Sequence, residues 1–315
     1  MADLFNRQDD PQGAAVAGAA APTSMSDPQT RYTSGPFLEQ AQDWPALQRE
    51  MKPVPDCGEL SYKGSGRLTG RKALITGGDS GIGRAAAIAF SREGADIAIN
   101  YYPSEEPDAQ DVAELLRGEG RKVVLVPGDL TQQDFCEQLI AKADQELGGL
   151  DILVSNAAYQ QSKASIEDIS LEQFDRTMKT NVYALFWLTK AAVPLMKPGS
   201  SIIATGSVNS VDPGEQLLDY ATTKGAILVF VKGLAKQLAK KGIRVNMVAP
   251  GPVWTPLQLA GGQPPGDLSD FGKDTPLGRA GQPAELASLY VTLADPGTSY
   301  TTGSAFGANG GSGTI

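Results

Sequence analysis

The sequence predicts an α/β protein: a single doubly wound parallel sheet with helices on both faces, preceded by a non-globular N-terminal extension. Three observations predict it. From residue 67 onward, short apolar runs alternate with longer stretches of helical spacing, the pattern left by parallel strands and their crossover helices. A glycine-rich turn, Gly77 to Gly83, follows the first of those runs directly. Upstream of residue 67 neither period is sustained.

Residues 72–76, KALIT, read as a short buried strand that runs into Gly77-Gly78-Asp79-Ser80-Gly81-Ile82-Gly83. Residues 84–93 are Ala-rich with helical spacing, and Gly94 closes them. A second strand is expected over 96–101, a helix over 108–118 and a third strand over 122–126. A helix over 134–147, closed by Gly148-Gly149, leads to a fourth strand at 151–154. One long helix is expected over 171–196, then a strand at 201–205, a helix over 219–240 and a strand at 244–248. A helix over 283–293 precedes a last strand at 304–308. The connections should be right-handed crossovers. Residues 260–275, with Gly261-Gly262, Pro264-Pro265-Gly266 and Gly272, read as a flexible insertion near the carboxyl edge of the sheet.

The extension divides in two. Residues 1–34 are rich in Ala, Gly, Pro, Ser, Asp and Gln; they lack the apolar surface to offset the entropy of ordering and read as a tail. Residues 35–66 carry Phe37, Leu38, Trp44, Leu47, Met51, Leu60 and Tyr62. Such an arm orders only by lying against something, either its own domain or a neighbouring subunit. The catalytic domain is expected over 67–315.

Composition removes several functions. The 315 residues include no His, which excludes Ser-His-Asp and Cys-His triads and any imidazole-ligated metal site. Proton transfer falls to Tyr, Lys, Asp, Glu or Cys, and no metal site is expected. The net charge of −9 weighs against nucleic-acid binding. No apolar run reaches the roughly 18 residues of a membrane span. The start, MADLFNRQDDPQG, lacks the basic-then-apolar layout of a secretory signal. Cys57 and Cys136 form neither a CxxC pair nor a disulfide framework. A cytoplasmic location is the expectation.

A glycine-rich loop lets backbone approach a pyrophosphate, and the helix behind it offers free N–H groups and a partial positive charge. The spacing here, Gly77, Gly81 and Gly83, is G-x-x-x-G-x-G, unlike the G-x-G-x-x-G of many dinucleotide folds. No Gly-Lys-Ser or Gly-Lys-Thr follows, so a mononucleotide P-loop is not indicated. The second strand ends Asn100-Tyr101-Tyr102-Pro103, with neither an Asp for the NAD ribose nor an Arg for the NADP phosphate. The nearest charges, Glu105 and Glu106, would repel a phosphate, so the sequence leans toward NAD.

Tyr220 and Lys224 stand four apart in a helical stretch and share one face. A Lys ammonium nearby favours the phenolate, which gives a proton donor and acceptor without His. Ser207, just after the strand at 201–205, can hold a substrate carbonyl; read alone it is equally a turn or helix cap. Asn181 can hold a water beside Lys224 and relay protons; read alone it is a solvated helix Asn.

Taken jointly, these pieces resemble the short-chain dehydrogenase/reductase family. The matching strings are Thr76-Gly77-x-x-x-Gly81-Ile82-Gly83, Asp129-Leu130, Ser155-Asn156-Ala157-Ala158, Asn181, Ser207, Tyr220-x-x-x-Lys224 and Pro250-Gly251-Pro252-Val253-x-Thr255. The likeness covers about residues 67–315. The long extension and the string GELSYKGSGRL at 58–68 resemble the glucose/ribitol dehydrogenase-like subgroup.

The resemblance implies a Rossmann-type sheet, NAD or NADP as cofactor, and hydride transfer between nicotinamide and an aldehyde, ketone, sugar or polyol. It implies that Gly77, Ser80, Gly81, Ile82 and Gly83 hold the pyrophosphate and nearby ribose, with Tyr101 at the end of the second strand also on the cofactor. Asp129 and Leu130 would flank the adenine, and Asn156 and Ala157 would lie along the cofactor. Pro250, Gly251, Val253 and Thr255 would frame the nicotinamide carboxamide. Tyr220 would be the general acid/base, Ser207 the carbonyl anchor and Asn181 the relay. Lys224 would assist Tyr220 and grip the nicotinamide ribose. It also implies a homotetramer built on the helices near 171–196 and 219–240. Ala158 departs from the family's Asn-Asn-Ala-Gly by adding a methyl.

Gln160, Gln161, Asn209, Pro213, Glu215, Gln216 and the loop 256–275 are the candidate substrate contacts, and they hint at a polar, hydroxylated small molecule. Two rivals stand beside the dehydrogenase. An epimerase or dehydratase usually carries T-G-x-x-G-x-x-G and a large C-terminal substrate domain, whereas only about 60 residues follow Thr255. The other is a dinucleotide-binding sensor or structural protein without turnover, which would not need Ser, Tyr, Lys and Asn together.

Overall fold

The apolar runs pair side by side. In the computed structural model, which describes residues 25–264 and 266–313, the strands are β1 (Lys72–Thr76), β2 (Asp96–Tyr101), β3 (Val123–Pro127), β4 (Ile152–Ser155), β5 (Ser201–Thr205), β6 (Arg244–Pro250) and β7 (Ala305–Ala308). All pairings are parallel, and the order across the sheet is β3-β2-β1-β4-β5-β6-β7. The direction of winding therefore reverses between β1 and β4. Ligands of such sheets bind in the crevice beyond the carboxyl ends of the strands at that reversal.

The helices are α1 (Gly81–Arg92), α2 (Glu106–Gly118), α3 (Gln133–Leu147), α4 (Leu171–Met178), α5 (Ala184–Ala192), α6 (Leu218–Leu238) and α7 (Pro283–Ala294). Successive strand residues point to opposite faces, and the core divides accordingly. Ala73, Ile75, Ile97 and Ile99 pack with α1, α2 and α7. Leu74, Ala98, Leu153 and Ile202 pack with α3, α5 and α6. This two-sided burial is why the strands read as continuous apolar runs rather than alternating ones.

Two differences from the sequence reading have local causes. The helix expected over 171–196 runs on from Leu171 through a π-turn at Lys179–Tyr183, with helical backbone angles at both junctions, and stops at Ala192. Pro194 cannot supply the N–H that would continue it. Helix α1 begins at Gly81, not at residue 84, so the glycine loop itself forms its first turn.

Residues 1–24, most of the expected tail, lie outside the described residues. The rest of that stretch is largely exposed but is anchored at Tyr32. Tyr32 is buried, donates to the Asp56 carboxylate at 2.8 Å and lies beneath the Arg279 guanidinium. Farther along, Phe37, Ala46 and Met51 form a third apolar cluster with Trp254, Leu259, Leu268 and Phe271. Phe37 stacks flat on Trp254 with centroids 3.9 Å apart, and the Trp254 indole donates to the Pro53 carbonyl at 2.8 Å. Among the described residues, no helix is long and apolar enough to cross a membrane.

Candidate active site

A cleft opens at the carboxyl edge of the sheet. The residues singled out in the sequence meet there from six separate segments. Gly77, Ser80, Gly81 and Ile82 come from the glycine loop, and Tyr101 from the end of β2. Asp129 and Leu130 follow β3, and Asn156 and Ala157 follow β4. Ser207, Tyr220 and Lys224 come from the β5–α6 region, and Pro250, Gly251, Val253 and Thr255 from the end of β6 onward.

The loop is shaped for close approach. Gly77 has φ +61°, and a Cβ there would lie 3.1 Å from the Ala157 Cα. Gly81 has φ +51°, and a Cβ there would press on the Thr255 methyl at 3.0 Å. The N-cap of α1, Ser80, makes no side-chain cap bond, so the positive end of the helix faces the cleft uncapped by its own residue. Both observations fit a dinucleotide's pyrophosphate. Gly83 is different: it lies behind the loop, where a Cβ would run into the Gly77 carbonyl and the Asn156 amide. It does not line the cleft, and its place is set by packing.

Asn156 is a structural knot. Its main-chain N–H donates to the Thr76 hydroxyl at 2.9 Å, and its side-chain amide donates to the Thr76 and Gly77 carbonyls at 3.2 Å. Its Oδ1 accepts from the Thr205 hydroxyl at 3.1 Å, and Thr205 in turn bonds the Tyr290 hydroxyl at 2.7 Å. Ala158 also lines the cleft.

Tyr220, Lys224 and Ser207 are all buried. Lys224 Nζ donates to the Thr205 carbonyl at 2.8 Å and stands 5.1 Å from the centre of the Tyr220 ring. Burial pushes Tyr220 up to about 12, with the Ser207 hydroxyl drawing it back. Burial pulls Lys224 down to about 7. Both shifts disfavour charge, so in the cofactor-free protein Tyr220 is a protonated phenol at neutral pH. Ser207 also acts as the helix cap foreseen for it, accepting from the Asn209 N–H at 3.1 Å.

Asn181 sits in the π-turn, buried and outside the cleft lining. Its Oδ1 accepts from the Tyr159 N–H at 2.8 Å, while its amide donates to the Tyr159 carbonyl and the Thr223 hydroxyl, both at 3.0 Å. Both donors of the amide are therefore committed within the protein. The turn and the side chain together bind α4–α5 to the β4–α4 loop and to α6.

The expected substrate contacts are elsewhere. Gln160 donates to the Gly262 carbonyl at 2.9 Å and Gln161 to the Ala260 carbonyl at 2.5 Å, so both tie down the loop after β6. Asn209 bonds Ser207 and the Gly214 N–H, and Gln216 bonds Ser162. None of Gln160, Gln161, Asn209, Pro213, Glu215 or Gln216 lines the cleft. Leu257, Gln258 and Ala260 of the 256–275 loop do.

The cleft has further walls, of which the sequence reading places only Tyr102 and Glu105 near the cofactor. Trp44, Pro45 and Ala46 of the arm line it, as do Asp79, Tyr102, Glu105 and Arg176. Asp79 is 1% exposed, and neither of its carboxylate oxygens has a hydrogen-bond partner. Burial, with Asp108 adding repulsion, raises Asp79 to about 7. Burial and the charge of Asp79 raise Glu105 to about 9. Glu106 faces away from this pair, accepting from Tyr101 Oη at 2.5 Å and from Gln110.

A parallel sheet with its glycine loop at the winding reversal, and Ser, Tyr and Lys buried across the same cleft, define a nucleotide-dependent oxidoreductase, and the chain belongs to the short-chain dehydrogenase/reductase family. A family profile described as Enoyl-(Acyl carrier protein) reductase matches residues 77–312. The chain is 56% identical over 292 residues to the uncharacterized oxidoreductase YhxD of Bacillus subtilis, covering 92% of this chain and 98% of that one. It is 43% identical to NADPH-dependent aldehyde reductase 1, chloroplastic, of Arabidopsis thaliana, covering 85% and 94%. It is 40% identical to glucose and ribitol dehydrogenase of Daucus carota, covering 89% and 98%. Among solved structures, a short-chain dehydrogenase from Burkholderia cenocepacia in complex with NADP superposes with a TM-score of 0.73 at 31% identity, covering 78% and 98%. The protein is thus an NAD(P)-dependent oxidoreductase.

Proposed function

We propose that the protein interconverts a carbonyl and its alcohol on a small substrate, an aldehyde, ketone, sugar or polyol, with Tyr220 as the general acid/base. The observation that carries this is the burial of Tyr220, Ser207 and Lys224 together on one wall of the cleft that the glycine loop closes. The nicotinamide, when bound, supplies or accepts the hydride. Ser207 holds the substrate oxygen. Tyr220 Oη donates its proton to that oxygen as the carbonyl is reduced, and takes it back in oxidation. Lys224, held by the Thr205 carbonyl, lies close enough to stabilise the phenolate that remains. At neutral pH the resting phenol carries the proton that reduction consumes.

NAD(H) is proposed as the preferred cofactor. The second strand ends Asn100-Tyr101-Tyr102-Pro103 with no Arg to receive a 2′-phosphate, and Glu105 and the unpartnered Asp79 line that end of the cleft. The name of the Arabidopsis relative favours NADPH instead, and direct titration decides between them. A homotetramer is supported by the exposed apolar side chains Leu171, Phe174, Tyr183, Phe186 and Val229 on α4, the π-turn, α5 and α6. A cytoplasmic location is supported by two cysteines that are buried and unpaired.

The test is a panel of aldehydes, ketones, sugars and polyols with NADH and NADPH, followed by absorbance, on the native protein and on Tyr220→Phe. The expected outcome is turnover that falls by about 100-fold or more in the variant with dinucleotide affinity unchanged. Near-normal turnover in Tyr220→Phe removes Tyr220 from the mechanism. Binding without turnover across the panel favours the sensor reading, and isomerisation without net absorbance change favours the epimerase.

A further inference from the structure

Residues 36–62 precede the sheet and have no place in a three-layered α/β fold, yet they reach the cleft at three points. Trp44, Pro45 and Ala46 line it. The Trp44 indole is boxed in: the Arg176 guanidinium lies 4.0 Å from its centre, and Tyr102 and Tyr159 meet it edge-on at 4.7 and 5.6 Å. Tyr102 follows β2 and Tyr159 follows β4, so the indole spans the mouth of the cleft between them. Gln48, buried, places Oε1 2.7 Å from the Gly81 N–H, the first residue of α1 and part of the glycine loop. Its own main-chain N–H donates to Asp108 at 2.6 Å, which fixes that amide in place. On the far side the arm holds the loop after β6, through the Phe37–Trp254 stack and the Gln42 N–H to the Leu259 carbonyl at 3.3 Å.

We propose that this arm is a built part of the dinucleotide site. Trp44 covers the adenosine half of the cofactor, and Gln48 sets the glycine loop. The inference rests on the dinucleotide reading above and goes beyond it in assigning the function to residues outside the family's catalytic domain. A flat aromatic wall clamped by three neighbours loses little freedom when a ligand slides beneath it. The Arg176 guanidinium, which also lines the cleft and whose buried Nε has no partner, adds a cation beside an anionic ligand. Gln48 occupies one N–H of the helix end and leaves the cleft-facing ones for the pyrophosphate.

The experiment is calorimetric binding of NADH and NADPH to the native protein, Trp44→Ala and Trp44→Phe, with hydrogen exchange of the native protein with and without dinucleotide. Native protein that binds neither dinucleotide sinks the functional reading itself. If it binds, Trp44→Ala should weaken binding by about tenfold or more, the scale of losing one buried aromatic contact, and Trp44→Phe should recover most of it. Exchange of the Gln48 and Arg49 amides should slow when dinucleotide is added. Unchanged affinity in a folded Trp44→Ala overturns the proposal. Should that variant fail to fold, the native exchange decides alone, and arm amides indifferent to dinucleotide overturn it.

Discussion

The Lys224 ammonium donates to the main-chain carbonyl of Thr205 at 2.8 Å. This ties the last residue of β5 to α6 at the wall of the cleft that both line. The bond satisfies one ammonium hydrogen in a site that burial otherwise makes hostile to charge. It also holds the side chain alongside the Tyr220 ring rather than letting it turn to solvent.

That hostility has a pH signature. The folded-state value of Lys224, about 7, lies below its unfolded value, so between the two the unfolded chain binds more protons. Stability then rises with pH over that window: the penalty is fully present below about 7 and disappears as the unfolded Lys loses its own proton near 10.4. Lys224→Met carries no such proton. The difference in Tm between native protein and Lys224→Met should therefore shift in favour of the native protein from pH 7 to pH 10. Parallel Tm profiles would show that the ammonium is not desolvated.

The Asp79–Glu105 pair should set the choice between NAD and NADP. Replacing both with their amides, Asp79→Asn and Glu105→Gln, removes two acids from the end of the cleft. Burial holds both acids largely protonated near neutral pH, so in the native protein NADPH affinity relative to NADH should fall as pH rises from about 6 to 9, and the variant should lack that fall, read as a ratio of dissociation constants. An unchanged ratio would place the discrimination elsewhere.

Gly77→Val should test the cradle. The residue has φ +61° and its Cβ would approach Ala157 at 3.1 Å. A β-branched side chain there is strained by at least about 1 kcal/mol and fills the space meant for a ligand. Dinucleotide affinity should fall more than Tm does. A variant with lowered Tm and native affinity would show a purely structural glycine.

Tyr290→Phe probes the support behind the site. Tyr290 is fully buried and bonds Thr205, which bonds Asn156. Removing the hydroxyl should cost about 1 kcal/mol of stability, measured by denaturant unfolding, with activity lowered less than in Tyr220→Phe.

Much of this architecture was readable because burial on both faces leaves a plain mark: β1 and β5 carry the apolar runs Ala73–Ile75 and Ile202–Ala204, and β6 is apolar but for Arg244 and Asn246, and their ends carried the cleft residues with them. The glycine loop, Tyr220 and Lys224 were legible for a related reason, since their chemistry depends on fixed local spacing. What failed depended on contacts distant in sequence. The π-turn at Lys179–Tyr183, inside an otherwise continuous helix, has no helix-breaking residue to announce it, and the bonds of its Asn181 go to Tyr159 and Thr223. Gln160 and Gln161 looked like substrate ligands because free amides suit hydroxyl groups, yet they face the carbonyls of Gly262 and Ala260. Asp79 was visible as a letter in the loop, but only the fold shows that its carboxylate is buried and unpartnered. Trp44 was visible as an apolar residue needing a surface, with nothing local to say which surface.

The pairing of Phe37 with Trp254 and of Pro53 with the same indole joins residues about 200 positions apart. On a ribosome the arm emerges early, and its seat does not exist until β6 and the loop beyond it have been made. Contacts of such long range form late, so the segment translated among the first should be among the last to dock.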